Sequence, residues 1–482
     1  MVDFAVNGFS GTKLTGARLR IAVAVVCATG MIVAVMQTVI VPLISDLPAM
    51  LHTSGTGASW ALTITLLVAA LTTPIAGRLG DMYGKRRVMV LEMACVAVGS
   101  AICAVVSTIV PFVVGRGLQG AGIGVIAVGI SILRDIAPAT RLGASVGVLN
   151  ASIGVGGALG LPVAAVIAEH LSWRALFWTC GVVAASAFAA LLLLVPESSV
   201  RTGGKFDIVG AIGFGAAFTC LLVPLAQGAQ WAWTSPVTVG FLAAFVVIGG
   251  AWWQWEKRAS SPLIDLSIVV QKPIMLTNLV SAATGFAFYA FQIAPIQLLM
   301  APPEAPGGVG LSMVLASLVM TPVGVVMFVS SSTNGRVLAR FGPRRPIFVG
   351  MAVVSAGYLV FLAALVGKWH VGAVSVMVAG ALIGAGLGTV FSSMPALIMQ
   401  LVPQTQTGEA NGVNALLRNI GTSSSTAVVG MVLTASTVTV RWSGGEVEHP
   451  TTGAFTAAAI IVLAVCAAAF ACAVAIPRSR VF

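Results

Sequence analysis

The sequence predicts an all-α integral membrane protein: fourteen transmembrane helices, arranged as two six-helix repeats plus two inserted helices. Three observations carry that prediction. Of 482 residues, 58% are hydrophobic and only 8% charged, with a mean hydropathy of +1.03; so few charges cannot coat a soluble protein of this size. Lysine and arginine collect in alternate loops. Glycine-bearing motifs recur in the same order in the two halves.

A helix needs roughly 20 apolar residues to cross a bilayer. Runs of that kind occupy 20–44, 60–79, 88–107, 109–133, 144–168, 173–195, 207–227, 235–255, 274–300, 309–331, 346–367, 370–397, 410–435 and 452–476. They group as an N-terminal six-helix bundle (1–200), two inserted helices (201–258) and a C-terminal six-helix bundle (259–482). Helix is the expected state throughout, because lipid offers no partner to the backbone of an open strand.

Charge placement sets the topology. With the N-terminus inside, the inner segments hold Lys13, Arg18, Arg20, Arg78, Lys85, Arg86, Arg87, Arg134, Arg141, Arg201, Lys205, Lys257, Arg258, Lys272, Arg336, Arg340, Arg344, Arg345, Arg478 and Arg480. Outer segments hold Arg174, Lys368 and Arg441. This is a positive-inside pattern. It requires an even number of crossings and places both termini in the cytoplasm of a multi-pass plasma-membrane protein. The net charge of +11 is therefore topological and does not point to nucleic acid. The apolar run after residue 20 is too long for a cleaved signal peptide. All four histidines fall outside, which argues against a buried histidine relay. The seven cysteines lie inside apolar runs without metal or disulfide spacing, so neither metal nor cofactor is expected.

The stretch 77–87, GRLGDMYGKRR, is pinched between two spans as a basic loop with Gly77, Gly80 and Gly84 available for a tight reversal. A degenerate copy, GRVLARFGPRR, occupies 335–345, with Ala339 where the first has Asp81. Leu118–Gly124 (LQGAGIG) likewise matches Leu382–Gly388 (LIGAGLG), and Gly143, Gly147 and Gly156 match Gly408, Gly412 and Gly421. Parallel six-helix repeats with a site between them are a secondary-transporter architecture.

The loop at 77–87 resembles the signature between the second and third helices of the major facilitator superfamily. Span 4, with Arg116, Gln119 and Gly120 on one face, resembles that superfamily's Arg-x-x-Gln-Gly motif; the resemblance ties Arg116 to proton coupling, against a purely structural arginine held by backbone carbonyls. Span 5 carries Gly156, Gly160 and Pro162, similar to the antiporter signature of its exporters, although Leu161 stands where proline is expected and Ala164 and Ala165 replace a glycine pair. Small residues four apart also suit close helix packing. Fourteen spans, with Trp60 opening span 2, Trp173–Phe177 (WRALF) span 6 and Phe206–Asp207 span 7, resemble the fourteen-helix drug:proton antiporter branch. The resemblance implies the major facilitator fold, proton-coupled antiport by alternating access, and export of hydrophobic or amphipathic drug-like compounds (multidrug efflux). It also implies a latch in which Asp81 and Asp135 pair with Arg86, with Gly77 and Gly84 as conformational positions.

That branch carries a span-1 acid where this chain has Gln37, followed by Thr38. Apart from Asp207 at the first position of span 7, Glu92 is the only acid within a predicted span; the candidate proton carriers are Glu92 and the cytoplasmic acids Asp81 and Asp135. Candidate cavity residues are Gln37, Thr38, Gln119, Asn150, Asn278, Tyr289, Gln292, Asn414 and Arg418. If the two intramembrane arginines, Arg116 and Arg418, both face the cavity, with Glu92 opposing them, the cavity is neutral to positive. The alternative reading is an exporter of lipid or an anionic amphiphile with weak or atypical proton coupling. Phe286, Phe288 and Phe291 offer stacking surfaces, and Trp252, Trp253 and Trp255 read as an interfacial belt. No nucleotide-binding Gly-x4-Gly-Lys-Ser/Thr loop is present, so ATP is not a partner. No nucleophile–base cluster supports an enzyme, and two unlike halves do not form a channel filter. The partners expected are the substrate, the proton and the bilayer, with the chain acting as a monomer.

Overall fold

The computed structural model describes residues 14–40, 43, 47–367, 372–442 and 445–477. Lys13, Asp46, Lys368, His370, Arg478 and Arg480 lie outside the described residues.

Fourteen long helical segments follow one another: α1 (Gly16–Thr38), α2 (Gly55–Tyr83), α3 (Lys85–Val105), α4 (Ile109–Ile136), α5 (Ala139–His170), α6 (Trp173–Leu194), α7 (Ile208–Trp231), α8 (Pro236–Glu256), α9 (Lys272–Met300), α10 (Met313–Phe341), α11 (Arg344–Val366), α12 (Ala373–Leu401), α13 (Thr407–Thr434) and α14 (Thr452–Ala475). Among the described residues, twelve are long and apolar enough to cross a membrane; α5 and α13 fall outside that set. α13 is diluted by Asn411, Asn414, Arg418 and the run Thr422–Thr426. Several of α5's side chains are not described. Both are nonetheless full helices of 32 and 28 residues, α5 packed on α1 and α10, α13 on α9 and α2.

Helix starts follow from short polar residues whose side chains accept a free backbone N–H. Ser54 caps α2, Ser172 α6, Asp207 α7, Ser235 α8, Ser312 α10 and Thr451 α14. The all-helix expectation fails at one place. Thr437–Trp442 (β1) and Gly445–Pro450 (β2) form an antiparallel hairpin, with Val438 opposite His449. It lies between α13 and α14, outside any span, and the two strands pair only with each other.

The expected loop at 80–87 is nearly absent. α2 runs to Tyr83 and α3 starts at Lys85, leaving Gly84 as the only non-helical residue, at φ +122°. Gly77 and Gly80 are therefore interior to a helix and serve close approach instead of chain reversal. The Glu197 carboxylate lies against Gly84, 2.8 Å from where a Cβ would stand. It accepts from the N–H groups of Arg86 (3.1 Å) and Arg87 (3.3 Å), covering the start of α3. Gly84→Ala would combine a left-handed φ with that collision. It is expected to cost roughly 1–3 kcal/mol, read as a lowered thermal midpoint of the detergent-solubilised protein.

The apolar cores divide along the chain. One cluster lies wholly between Leu276 and Ile476; two others belong to α1–α6, joined by Met399 alone from the second half. A fourth draws Phe214, Leu222, Val223 and Trp252 of the inserted pair onto Leu67 and Ala70 of α2 and Val413 and Leu416 of α13. The inserted helices thus straddle the seam between the bundles. Trp252 belongs to that core, 5.6 Å from the Phe214 ring, and is not part of an interfacial belt. Trp255 donates to Asp207 (3.0 Å).

Candidate functional site

The bundles meet at the end of the molecule that carries Tyr83, Ile136, Phe341 and Leu401, here called the basic end. Gly77 and Gly408 bring α2 and α13 to backbone contact; a Cβ on either would run into the other's main chain or the Asp81 carboxylate. One turn further along, Gly412 lies against Thr73 and Pro74, where a Cβ would stand 2.8 Å from the Pro74 Cα. α5 and α10 meet in the same way, with Ser331 donating to the Gly147 carbonyl at 2.9 Å.

A buried charged network surrounds these contacts. Asp81, 1% exposed, accepts from the backbone N–H of Glu409 (3.0 Å) at the first turn of α13 and from Ser131 (3.2 Å). An anion there complements the positive end of the helix dipole. Arg134 of α4 does the converse: it donates to the carbonyls of Met399 (2.6 Å) and Val402 (3.2 Å), where α12 ends, and to the Thr407 hydroxyl. The first bundle thus presents an acid to the start of one helix of the second and a base to the end of another. Arg78 pairs with Glu409 at 3.3 Å, and the other Glu409 oxygen accepts from the Asp265 N–H in the segment following α8. One carboxylate therefore ties together α2 of the first bundle, α13 of the second and the segment that leads from the inserted pair into α9.

The latch differs from expectation in its cation. Lys85, fully buried, pairs with Asp81 (3.5 Å) and with Asp135. Arg86 instead donates to the carbonyls of Leu192 (3.4 Å) and Val195 (3.3 Å) within its own bundle. Because α3 starts directly after Gly84, Lys85 points inward and Arg86 follows one position round the helix. Asp135 also accepts from Ser198 and, across the seam, from Gln404 (3.1 Å).

Arg116 is fully buried and does not line an opening. Its guanidinium donates to the carbonyls of Ala61 (3.3 Å) and Met36 (3.5 Å) and to Gln119 (2.6 Å), which in turn donates to Ser100 (2.8 Å). The chain Met36–Arg116–Gln119–Ser100 ties α1, α2, α3 and α4, so Gln119 is not a cavity residue either. Glu92 lies in α3, 5% exposed, with one oxygen against Gly124 at the end of the 3-10 turn Gly122–Gly124 that interrupts α4. Its carboxylate oxygens have no hydrogen-bond partner among the described residues, and no ion pair joins it to Arg116 or Arg418.

Other expected cavity residues divide. Asn150 bonds back to Val146 of its own helix (3.0 Å). Asn414 donates to Asn278 (3.0 Å) and accepts from Ser281, fixing α9 to α13 inside the second bundle. Thr38 returns its hydroxyl to Val35 (3.0 Å) and packs on Gly160, while Gly156 faces Met31 and Ala34, so the α5 glycines seat α1. Pro162 lies inside α5 without ending it. Gln37, in the last turn of α1, and Gln292 are half-buried. Phe291 stacks edge-on to Tyr358 and Phe361 in the core of the second bundle, and Phe286 is buried there too. Phe288 meets Phe391 edge-on at 6.4 Å.

Arg418 differs from Arg116. Half-buried near the middle of α13, it lies 5.2 Å over the Phe391 ring and makes no side-chain hydrogen bond or ion pair among the described residues. A guanidinium exposed to hydrocarbon at that depth would cost several kcal/mol; the neighbours of this side chain, Phe391 of α12 and Gly285 of α9, both belong to the second bundle. Away from the basic end, α2 and α13 separate around a cavity of about 170 Å³ lined by Leu62, Thr63, Leu66, Leu67, Leu222, Ala226, Tyr289, Ser423 and Thr426. Of the predicted cavity residues, Tyr289 lines it.

Closure at one end, a cavity toward the other and long apolar helices define a multi-pass membrane protein of transporter architecture. The chain belongs to the Major Facilitator Superfamily, whose family model matches residues 26–426. It is 28% identical over 421 residues to the tetracenomycin C resistance and export protein of Streptomyces glaucescens, covering 85% of this chain and 75% of that protein. It is 26% identical over 382 residues to the multidrug resistance protein Stp of Mycobacterium tuberculosis (strain CDC 1551 / Oshkosh), covering 79% and 69% respectively. Among solved structures, the human organic anion transporter MFSD10 superposes with a TM-score of 0.64 at 14% identity, covering 95% of this chain and 100% of that one. The likeness shows the shared fold. Lys85, Glu409, Arg134 and Glu197 of this network are not among the sequence-predicted site residues. The signal for them was positional: each stands within a turn of a helix end, where free backbone groups invite a charge.

Proposed function

We propose that this transporter is a proton-coupled exporter of hydrophobic or amphipathic, drug-like compounds. It works by alternating access in the plasma membrane, as a monomer, with all fourteen long helices crossing the bilayer and both termini cytoplasmic. The basic end then faces the cytoplasm, and the structure is the outward-facing state. The observation that carries this reading is the buried network at the seam, where Asp81 meets the start of α13 and Arg78 meets Glu409. Protonating Asp81, Asp135 or Glu409 removes the charge each pairing needs, which favours separation of the basic end. Glu92, buried without a partner, is a further proton-binding group in the first bundle. The relatives named as resistance and export proteins support the outward direction.

The free donors of Arg418 favour a second reading within the same cycle, in which the exported amphiphile is anionic. One experiment addresses both. Purified protein in proteoliposomes should move substrate against its gradient only when a pH gradient is imposed. Arg418→Gln should slow anionic amphiphiles by about tenfold, the worth of one charge-assisted hydrogen bond, and leave cationic ones near wild type. Transport indifferent to the pH gradient would refute the coupling. Equal effects on both charges would refute the anionic reading.

A further inference from the structure

We propose that the wedge between α2 and α13, walled on one side by the inserted helix α7, is a binding pocket for an uncharged ring bearing a hydroxyl or carbonyl group. This rests on the transport reading above and specifies one portion of the transported compound. α2 and α13 touch backbone to backbone at Gly77–Gly408 and Gly412–Pro74, then diverge. α7 fills the gap that opens. Phe214, Leu222 and Val223 pack on both helices, and Gln227 donates to Thr63 of α2 at 3.3 Å. The fill is incomplete, and the space left over is the cavity of about 170 Å³.

The walls state what fits. Leu62, Leu66, Leu67, Leu222 and Ala226 are apolar, and among the described residues no charged side chain lines the pocket. Thr426 returns its hydroxyl to Thr422 (3.2 Å), and Thr63 is taken by Gln227. Tyr289 and Ser423 remain: neither hydroxyl makes a hydrogen bond among the described residues, although Ser423 is only 6% exposed. At hydrocarbon depth an unsatisfied hydroxyl is costly. Two of them, on different helices of the second bundle and lining one leucine-walled space, suit a ligand edge that both accepts and donates. One water needs about 10–15 Å³ of such space, so the pocket admits a ring system and not merely a solvent molecule. An acid or ammonium group would find no counter-charge there, which restricts the occupant to the uncharged part of a molecule.

The test uses the full-length protein in lipid nanodiscs and 4-hydroxybenzophenone, a neutral photoreactive phenol-ketone. Labelling should saturate, with adducts in the α7 segment Leu222–Gln227. Ala226→Phe, which fills the pocket, should reduce saturable labelling about tenfold. Tyr289→Phe keeps the ring and removes only the hydroxyl; it should weaken half-saturation by roughly three- to tenfold. Benzophenone without the hydroxyl should label wild type more weakly than the phenol does. Labelling that fails to saturate, or that both variants leave unchanged, overturns the proposal. No ion gradient enters this measurement. A chain that exports but does not label α7 overturns only the pocket, and one that labels but does not pump overturns only the transport reading.

Discussion

Asp81→Asn is expected to slow export by roughly tenfold while leaving the protein folded. The carboxylate spans two bundles: it belongs to α2, yet it accepts from the Glu409 N–H at the start of α13 and pairs with Lys85. An amide of the same shape keeps the packing and loses the charge. A buried anion at a helix start contributes up to about 2 kcal/mol, and a shift of that size moves a two-state equilibrium by more than tenfold. The closed basic end should therefore become a minority state. A single cysteine at Met399, which is 8% exposed and packs across the seam into the first bundle's core, reports this directly. In a background without the seven native cysteines, its maleimide reactivity in detergent should rise about tenfold with Asp81→Asn. Unchanged reactivity together with unchanged export would remove Asp81 from the mechanism.

Arg116→Ala should act on stability before it acts on transport. Three acceptors on three helices lose their donor, and Gln119 is left with one partner of two. Breaking a buried charged group away from its partners typically costs about 3–5 kcal/mol. That is a large share of the stability of any domain. The expected result is a sharp drop in monodisperse protein after mild heating. Arg116→Lys should be only a partial rescue, since one ammonium cannot reproduce a planar fork that reaches α1 and α2 at once. If Arg116→Ala survives heating like wild type but uncouples export from the pH gradient, the arginine belongs to proton coupling and not to the frame.

The contrast between the two arginines shows what the sequence could and could not carry. Hydropathy is sufficient for the order of the long helices, because helix is the state that lipid demands of an apolar run. Arg116 and Arg418 looked alike there: a lone cation in an apolar run. Their difference lies in which face of the helix meets which neighbour. For Arg116 that is decided by carbonyls on α1 and α2, some fifty to eighty positions away in the chain. Asn278 and Asn414 misled for the same reason. A polar residue inside a span is equally well explained by a water-filled space or by a second polar residue across a helix interface. Lys85 was legible in composition but not in role. Assigning it required knowing that the reversal uses one residue, Gly84, and so which of three consecutive cations faces inward.

Where Gly77 meets Gly408, main chain lies on main chain with no side chain between. Such a joint has no adjustable part. Any substituent there is a spacer, so variants cannot loosen or tighten the shut position in small steps at that point. Natural tuning of turnover must instead act through the ring of charges around it, one hydrogen bond at a time. A compound able to slip a single methyl-sized group into that joint would hold the two bundles apart there.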